Sequence, residues 1–388
     1  YLKRVGISEG EYYVLLLFSI SGMMLMGSAG DLIIVFLSLE LLSIPLYVLA
    51  GIDHKRDASR EASLKYFLLG TMASAFVLFG IAFVYGAAGT TSLYGITEAV
   101  SQGKVQQFLL ICGSALLLAG FGFKVAAVPF HSWTPDVYHG SPSSVTAFMS
   151  VGAKAAGFAA LIRVFSLNFT AIAIELTPLF WVLSALTMIV GNVVAVAQTN
   201  LKRMLAYSSI AHAGYILMAF VGFGDAAVRQ NSIASALFYL AAYALTSLGA
   251  WSVLVAVEQQ DGSGNEISDL AGLGKTAPSL AAAMVVFMLS FTGIPLTLGF
   301  WGKFYLFRTA IEGGFTYLAV AGLLTSLVSA FYYLRVVVKM YFQPGEALAH
   351  KGRLTSLIAT ILAILVVGLA FVPGYLFNLA AAGLIAGA

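Results

Sequence analysis

The sequence predicts an all-α, polytopic membrane protein of about 11 transmembrane helices, arranged as two inverted five-helix repeats whose fourth helices are broken, with one C-terminal helix added. Three observations carry this. Of 388 residues, 60% are hydrophobic and only 10% charged, against roughly 25% charged in soluble domains, and mean hydropathy is +0.94. A ruler of about 20 apolar residues per bilayer crossing finds eleven segments. Two of those segments, each fourth in a group of five, are interrupted by Pro and Gly.

The segments fall at about 11 to 30, 32 to 52, 62 to 86, 106 to 130 and 143 to 167 for the first repeat (11–167). The second repeat (177–341) follows at 177 to 199, 204 to 222, 231 to 257, 278 to 309 and 316 to 341, and a last helix at 355 to 385. The stretch 278–309 is too long for one crossing and holds Gly293, Pro295 and Gly299 at its middle, so it reads as two half-helices around an unwound piece. The stretch from Gln106 meets Pro129 and Pro135 and breaks likewise. Five helices per group is an odd number, so the second group inserts with opposite polarity. That is the inverted-repeat plan of many transporters, with the working site near the midplane.

Alternating the loops between two faces puts Lys3, Arg4, Lys55, Arg56, Arg60, Lys202, Arg203, Lys275, Lys339, Lys351 and Arg353 on one side. Lys104, Arg163, Arg229 and Arg308 fall on the other. Eleven against four makes the first face cytoplasmic. A net charge of +3 with no basic-aromatic patch offers nothing to nucleic acid. The single cysteine, Cys112, excludes a disulfide within the chain, a Cys-rich metal site and an iron–sulfur cluster. The chain opens on Tyr1 rather than Met, and an N-terminal portion is expected to precede it.

Five cations remain inside apolar segments: Lys65, Lys124, Lys154, Lys303 and Arg335; of the acids, only Glu40 sits squarely in one. A lysine at helix centre costs roughly 2.5–3.5 kcal/mol, so four cost about 10–14. Arg335 and Lys65 stand close enough to a helix end to snorkel. Lys124, Lys154 and Lys303 do not, and one glutamate neutralises one lysine at most. A buried amine exists charged or neutral according to its neighbours, and a nearby carboxylate tips that balance. A line of such amines is a proton path, with Glu40 as the switch for Lys124 or Lys65. His212 adds an imidazole to it, or is a hydrogen-bonded core histidine. His131, Asp136 and His139 lie at the first break and could hydrate a cytoplasmic mouth or serve the loop alone; Tyr207 and Tyr215 read as packing aromatics.

Three runs are recognisable. They are Leu39-Glu40-Leu41-Leu42-Ser43-Ile44-Pro45-Leu46-Tyr47, the stretch from Gly122-Phe123-Lys124 to Pro129-Phe130-His131-Ser132-Trp133-Thr134-Pro135-Asp136, and Lys202-Arg203-Met204-Leu205-Ala206-Tyr207-Ser208-Ser209-Ile210-Ala211-His212. They resemble the antiporter-like subunits of respiratory complex I over nearly the whole chain. The run Gly293-Ile294-Pro295-Leu296-Thr297-Leu298-Gly299-Phe300-Trp301-Gly302-Lys303-Phe304 resembles the N type, with lysine where the M type usually has glutamate. The resemblance implies a multi-pass subunit of a bacterial inner membrane that moves protons, driven by redox chemistry in other subunits. It implies Glu40 and Lys124 as a controlling ion pair with Lys65 nearby, Lys154 and His212 as relays, and Lys303 as the gate to the far side. Flavin, iron–sulfur clusters and quinone are implied for partner subunits and no cofactor for this chain. The implied partners are a sibling antiporter-like subunit and small membrane subunits, and the family has three further helices before this point. A multisubunit Na⁺/H⁺ antiporter is the alternative; sodium prefers clustered oxygen ligands, and the axis offers one deep carboxylate.

Overall fold

The computed structural model describes residues 1–7, 9–259, 263–350 and 352–385. A turn, α1 (Leu2–Val5), precedes α2 (Glu9–Ser28), α3 (Leu32–Ala50) and α4 (Asp57–Ala88). A short helix, α5 (Leu93–Ser101), fills part of the interval the sequence leaves unassigned. The first broken segment follows as α6 (Gln107–Val125) and α7 (Trp133–Gly140). The fifth span joins α8 (Ser143–Phe148) to α9 (Lys154–Leu161), with wide π-helical turns at Met149–Ala153 and Ile162–Asn168.

The second half runs α10 (Ala173–Val196), α11 (Leu201–Leu217), α12 (Ala226–Val257) and a turn, α13 (Leu273–Thr276). Then come the broken pair α14 (Pro278–Thr292) and α15 (Leu298–Glu312), α16 (Thr316–Phe342), α17 (Arg353–Gly368) and α18 (Pro373–Ile385). Among the described residues there is no strand, only two isolated bridges. Nine helices there are long and apolar enough to cross a membrane. The other two of the eleven expected spans fall on α11, 17 residues long, and on the α14–α15 pair, 15 residues each. The expected last helix, 355 to 385, is two: α17 ends in a 3₁₀ turn at Leu369–Phe371, and Pro373 starts α18, because proline cannot continue the hydrogen-bond ladder.

The two halves repeat one construction. Asp31 caps α3 and Asn200 caps α11 through side-chain oxygens, 169 positions apart (200 − 31). Beside each cap the backbone forms the same bridge. Leu32 N–H donates to the Thr91 carbonyl at 2.9 Å and Leu93 N–H to Gly30 at 3.0 Å, while Leu201 N–H donates to Asn265 at 2.7 Å and Ile267 N–H to Thr199 at 2.9 Å. Gly22 lets α2 touch the Leu42 backbone, and Gly191, also 169 on (191 − 22), lets α10 touch Ala211; a Cβ would come within 2.4 and 2.6 Å of those amide nitrogens. Each fifth span then sends an arginine back to the end of its first helix. Arg163 donates to the Gly27 carbonyl at 2.5 Å, and Arg335 to Val196 at 3.0 Å and Gln198 at 2.5 Å. Arg335 therefore caps α10 rather than reaching for the surface.

The loops of the cation-rich set meet at one end of the bundle. Arg4 donates to the Val255 carbonyl at 2.6 Å, His350 N–H to Ala256 at 2.8 Å, and Arg56 lies 3.9 Å from Glu258. Lys351 lies outside the described residues. Lys202, counted from sequence as a loop cation, is fully buried there: its Nζ donates to the Ser141 carbonyl at 2.9 Å and pairs with Glu258 at 3.4 Å. Burial opposes the charge on Glu258, but Lys202, Ser143, Tyr1 and Arg56 outweigh it and hold that carboxyl below the usual glutamate range.

Candidate functional site

Both broken segments stop on a left-handed residue, Ala126 (φ 62°) after α6 and Gly293 (φ 86°) after α14. Each break leaves backbone N–H or C=O groups short of helical partners in the interior, where water does not reach them freely, and side chains answer them. Trp133 Nε1 donates to the Phe123 carbonyl at 3.1 Å, and Val128 N–H donates to Thr187 Oγ1 at 2.9 Å. In the second break the residue four beyond Phe291 is Pro295, which has no N–H. Lys303 supplies the donor, its Nζ reaching the Phe291 and Thr292 carbonyls at 2.9 Å each and Ser326 Oγ at 2.6 Å. The ammonium so placed also faces the negative end of the α14 dipole and lies 4.9 Å over the Tyr215 ring.

Lys124 occupies the last turn of α6. Its Nζ donates to Ser43 Oγ at 2.7 Å and sits 3.4 Å from the Tyr66 hydroxyl. Ser43 is three residues beyond Glu40 on α3, hence on the same helical face. The expected direct Glu40–Lys124 ion pair is absent: Ser43 takes the amine, and Glu40 keeps a buried Oε1 with no hydrogen-bond partner. Glu40 still lies within electrostatic reach of Lys124 and of Tyr47.

Lys154 follows the first π-helical turn, a local widening found often at functional positions. Its Nζ donates to the Ser209 carbonyl at 2.5 Å and lies 5.6 Å from the Tyr243 ring. His212 stands one turn beyond Ser209 on α11. Its Nδ1 is 2.6 Å from the Tyr239 hydroxyl and its Nε2 3.1 Å from that of Tyr333, which in turn meets Ser208 Oγ at 2.5 Å. Lys124, Lys154, His212 and Lys303 are all buried, at 3–5% exposure.

Lys65 is not with them. Its side chain is 42% exposed and pairs with Glu61 at 2.7 Å and Asp136 at 2.8 Å; Asp136 also holds Arg203 at 2.8 Å. Its neighbour on α4, Tyr66, faces inward instead and meets Lys124. Asp136 is thus taken by two cations, and His139 Nδ1 lies 3.3 Å from Asn200. The hydroxyl partners Ser43, Tyr66, Tyr239, Tyr333 and Ser326 escape the sequence reading; only helical spacing, Ser43 three residues from Glu40, could have signalled any. Tyr215 is more than a packing aromatic: its hydroxyl accepts from Asn192 Nδ2 at 3.1 Å and its ring lies under Lys303.

A membrane family model described as NADH:quinone oxidoreductase/Mrp antiporter matches residues 29–329. The chain belongs to this family. It is 48% identical over 375 residues to an NADH-quinone oxidoreductase subunit N of Trichlorobacter lovleyi, covering 96% of this chain and 76% of that one. Among solved structures it resembles a chain of respiratory complex I from Thermus thermophilus, with a TM-score of 0.82, 39% identity, and coverage of 95% of this chain and 79% of that one. A chain of the Mrp complex from Dietzia shares the fold at TM-score 0.85 and 22% identity, over 95% of this chain and 76% of that one.

Proposed function

We propose that this chain is the N-type membrane-arm subunit of a proton-translocating NADH:quinone oxidoreductase in a bacterial plasma membrane. Protons would move along Lys124, Lys154, His212 and Lys303, with Glu40 biasing the first amine, while flavin, clusters and quinone belong to partner subunits. The observation that supports this best is the chemistry of the buried amines. All three are held by hydroxyl and carbonyl oxygens, and none forms an ion pair among the described residues. Neutral acceptors bind both NH₃⁺ and NH₂, so neither charge state is locked as it would be by a carboxylate at contact. His212, held between two tyrosine hydroxyls, can exchange its tautomer without leaving its place. Lys65 is left outside this line because its amine is taken by Asp136 and Glu61.

The matching bridges, glycine contacts and arginine caps of the two halves support the reading of 11–167 and 177–341 as related five-helix units, with the α17–α18 pair appended. Replacing Lys124 or Lys303 by methionine in the assembled complex is expected to abolish or sharply lower proton-coupled quinone reduction. Normal coupled activity in both variants would end the assignment. The antiporter alternative predicts Na⁺-dependent proton exchange by the chain without any quinone reductase attached.

A further inference from the structure

Two cavities on the cation-rich end share walls. One, about 530 Å³, mixes polar and apolar walls: Thr276 and Ser279 border it from the start of α14, Ser356 and Thr360 from α17 and His350 from the loop between, with Leu280 and Leu357 among them. The other, about 510 Å³, is an apolar groove running down between α14 and α17, lined by Ala282, Val286, Ala363 and Val367. Ser279 and Thr360 border both, so mouth and groove form one continuous cleft. At roughly 30 Å³ per methylene, about the share of a water molecule in the liquid, the groove holds on the order of one acyl chain.

The mouth suits a negative headgroup. Among the described residues no carboxylate lines either cavity; Asp269 and Glu346 border a separate one. Arg4 lies close enough to act electrostatically on His350, and Lys275 is exposed one residue before Thr276. Neither α14 nor α17 has a side-chain cap, unlike α3, α11 and α12, so the first N–H groups of both are left for another acceptor. The Ser279 and Ser356 hydroxyls are hydrogen-bonded to each other at 3.3 Å in the wall of the mouth. We propose that this cleft is a specific site for an anionic phospholipid, its phosphate in the mouth between α14 and α17 and one chain in the groove below. The bound lipid braces α14, whose last carbonyls accept from Lys303 of α15, yet its binding does not depend on whether protons move.

The test uses the assembled complex in phosphatidylcholine vesicles doped with photoreactive phosphatidylglycerol or photoreactive phosphatidylcholine, with labelled residues mapped by mass spectrometry. Phosphatidylglycerol is expected to label α14 and α17 along the groove, and unlabelled phosphatidylglycerol to compete. Ser279→Asp places a carboxylate in the first turn of α14, where it favours the helix but repels an anion. It is expected to lower that labelling about fivefold or more, the scale of one like-charge contact near a surface. Gly368→Phe fills the groove from a position where an added side chain meets nothing, and lowers it too. Equal labelling by the two lipids, or phosphatidylglycerol labelling unchanged in Ser279→Asp, overturns the proposal.

Discussion

The two breaks are the same device finished in two ways. In the first, the Phe123 carbonyl accepts from both Trp133 Nε1 and Ala126 N–H, and Lys124 is left to face Ser43 and Tyr66. In the second, Lys303 answers the stranded carbonyls itself. One lysine is therefore free of the backbone that carries it, and the other is part of the joint. The difference teaches that a buried amine at a helix break has two separable duties, and that loss of coupling alone cannot tell them apart.

The largest effects separate those duties. Lys124→Met and Lys303→Met are both expected to remove coupled proton transfer, but only Lys303→Met strands the Phe291 carbonyl, costing about 1–3 kcal/mol. Thr292 keeps its donor from Ser326 at 3.1 Å. Thermal unfolding of the solubilised complex should fall for Lys303→Met and stay near wild type for Lys124→Met, which removes a buried amine without stranding a carbonyl. Equal destabilisation of the two would erase the distinction. Gly293→Ala comes next: a Cβ there meets Lys303 Cδ at 2.9 Å, and the left-handed backbone adds roughly 1–2 kcal/mol. Lower coupling together with lower stability is the expected result, since the clash displaces the amine; unaltered coupling would mean Lys303 has slack the structure does not show.

What the sequence made legible was chemistry that stands out against lipid. The apolar segments, the prolines and glycines that break two of them, and three lysines with His212 inside apolar stretches could all be read from residue order. What it hid depends on which way a helix face turns. Lys65 and Tyr66 are adjacent on α4, yet one reaches Asp136 at the rim and the other Lys124 inside. Lys202 and Glu258 sit at span ends, where composition suggests solvent, but they close a fully buried pair. Ser43 intercepts Lys124 ahead of Glu40 because both side chains share a face of α3, a choice of partner that spacing narrows but does not make. The break at Pro373 lay in plain sight, and a long apolar run concealed it.

The smaller effects return to the first break. Trp133→Phe keeps the ring against Tyr66, stacked at 4.6 Å, but removes the indole N–H from the Phe123 carbonyl. That carbonyl still accepts from Ala126 N–H at 3.1 Å, so the loss should be about 0.5–1.5 kcal/mol, with coupling largely kept. A Trp133→Phe complex that loses coupling as completely as Lys124→Met would give the indole a part in the path.

Ala126→Gly should be smallest of all. Its backbone is left-handed at φ 62°, so glycine relieves about 1–2 kcal/mol of steric cost. Against this, glycine widens the unfolded ensemble by about 0.4–1 kcal/mol, and the buried methyl, 2% exposed, forfeits about 0.8 kcal/mol of burial. These cancel to within about 0.5 kcal/mol, so alanine is tolerated at a position where the second break requires glycine: nothing like Lys303 lies against Ala126. A shift in unfolding midpoint for Ala126→Gly as large as that for Gly293→Ala would show that backbone conformation, and not the amine beside it, decides which residue each break accepts.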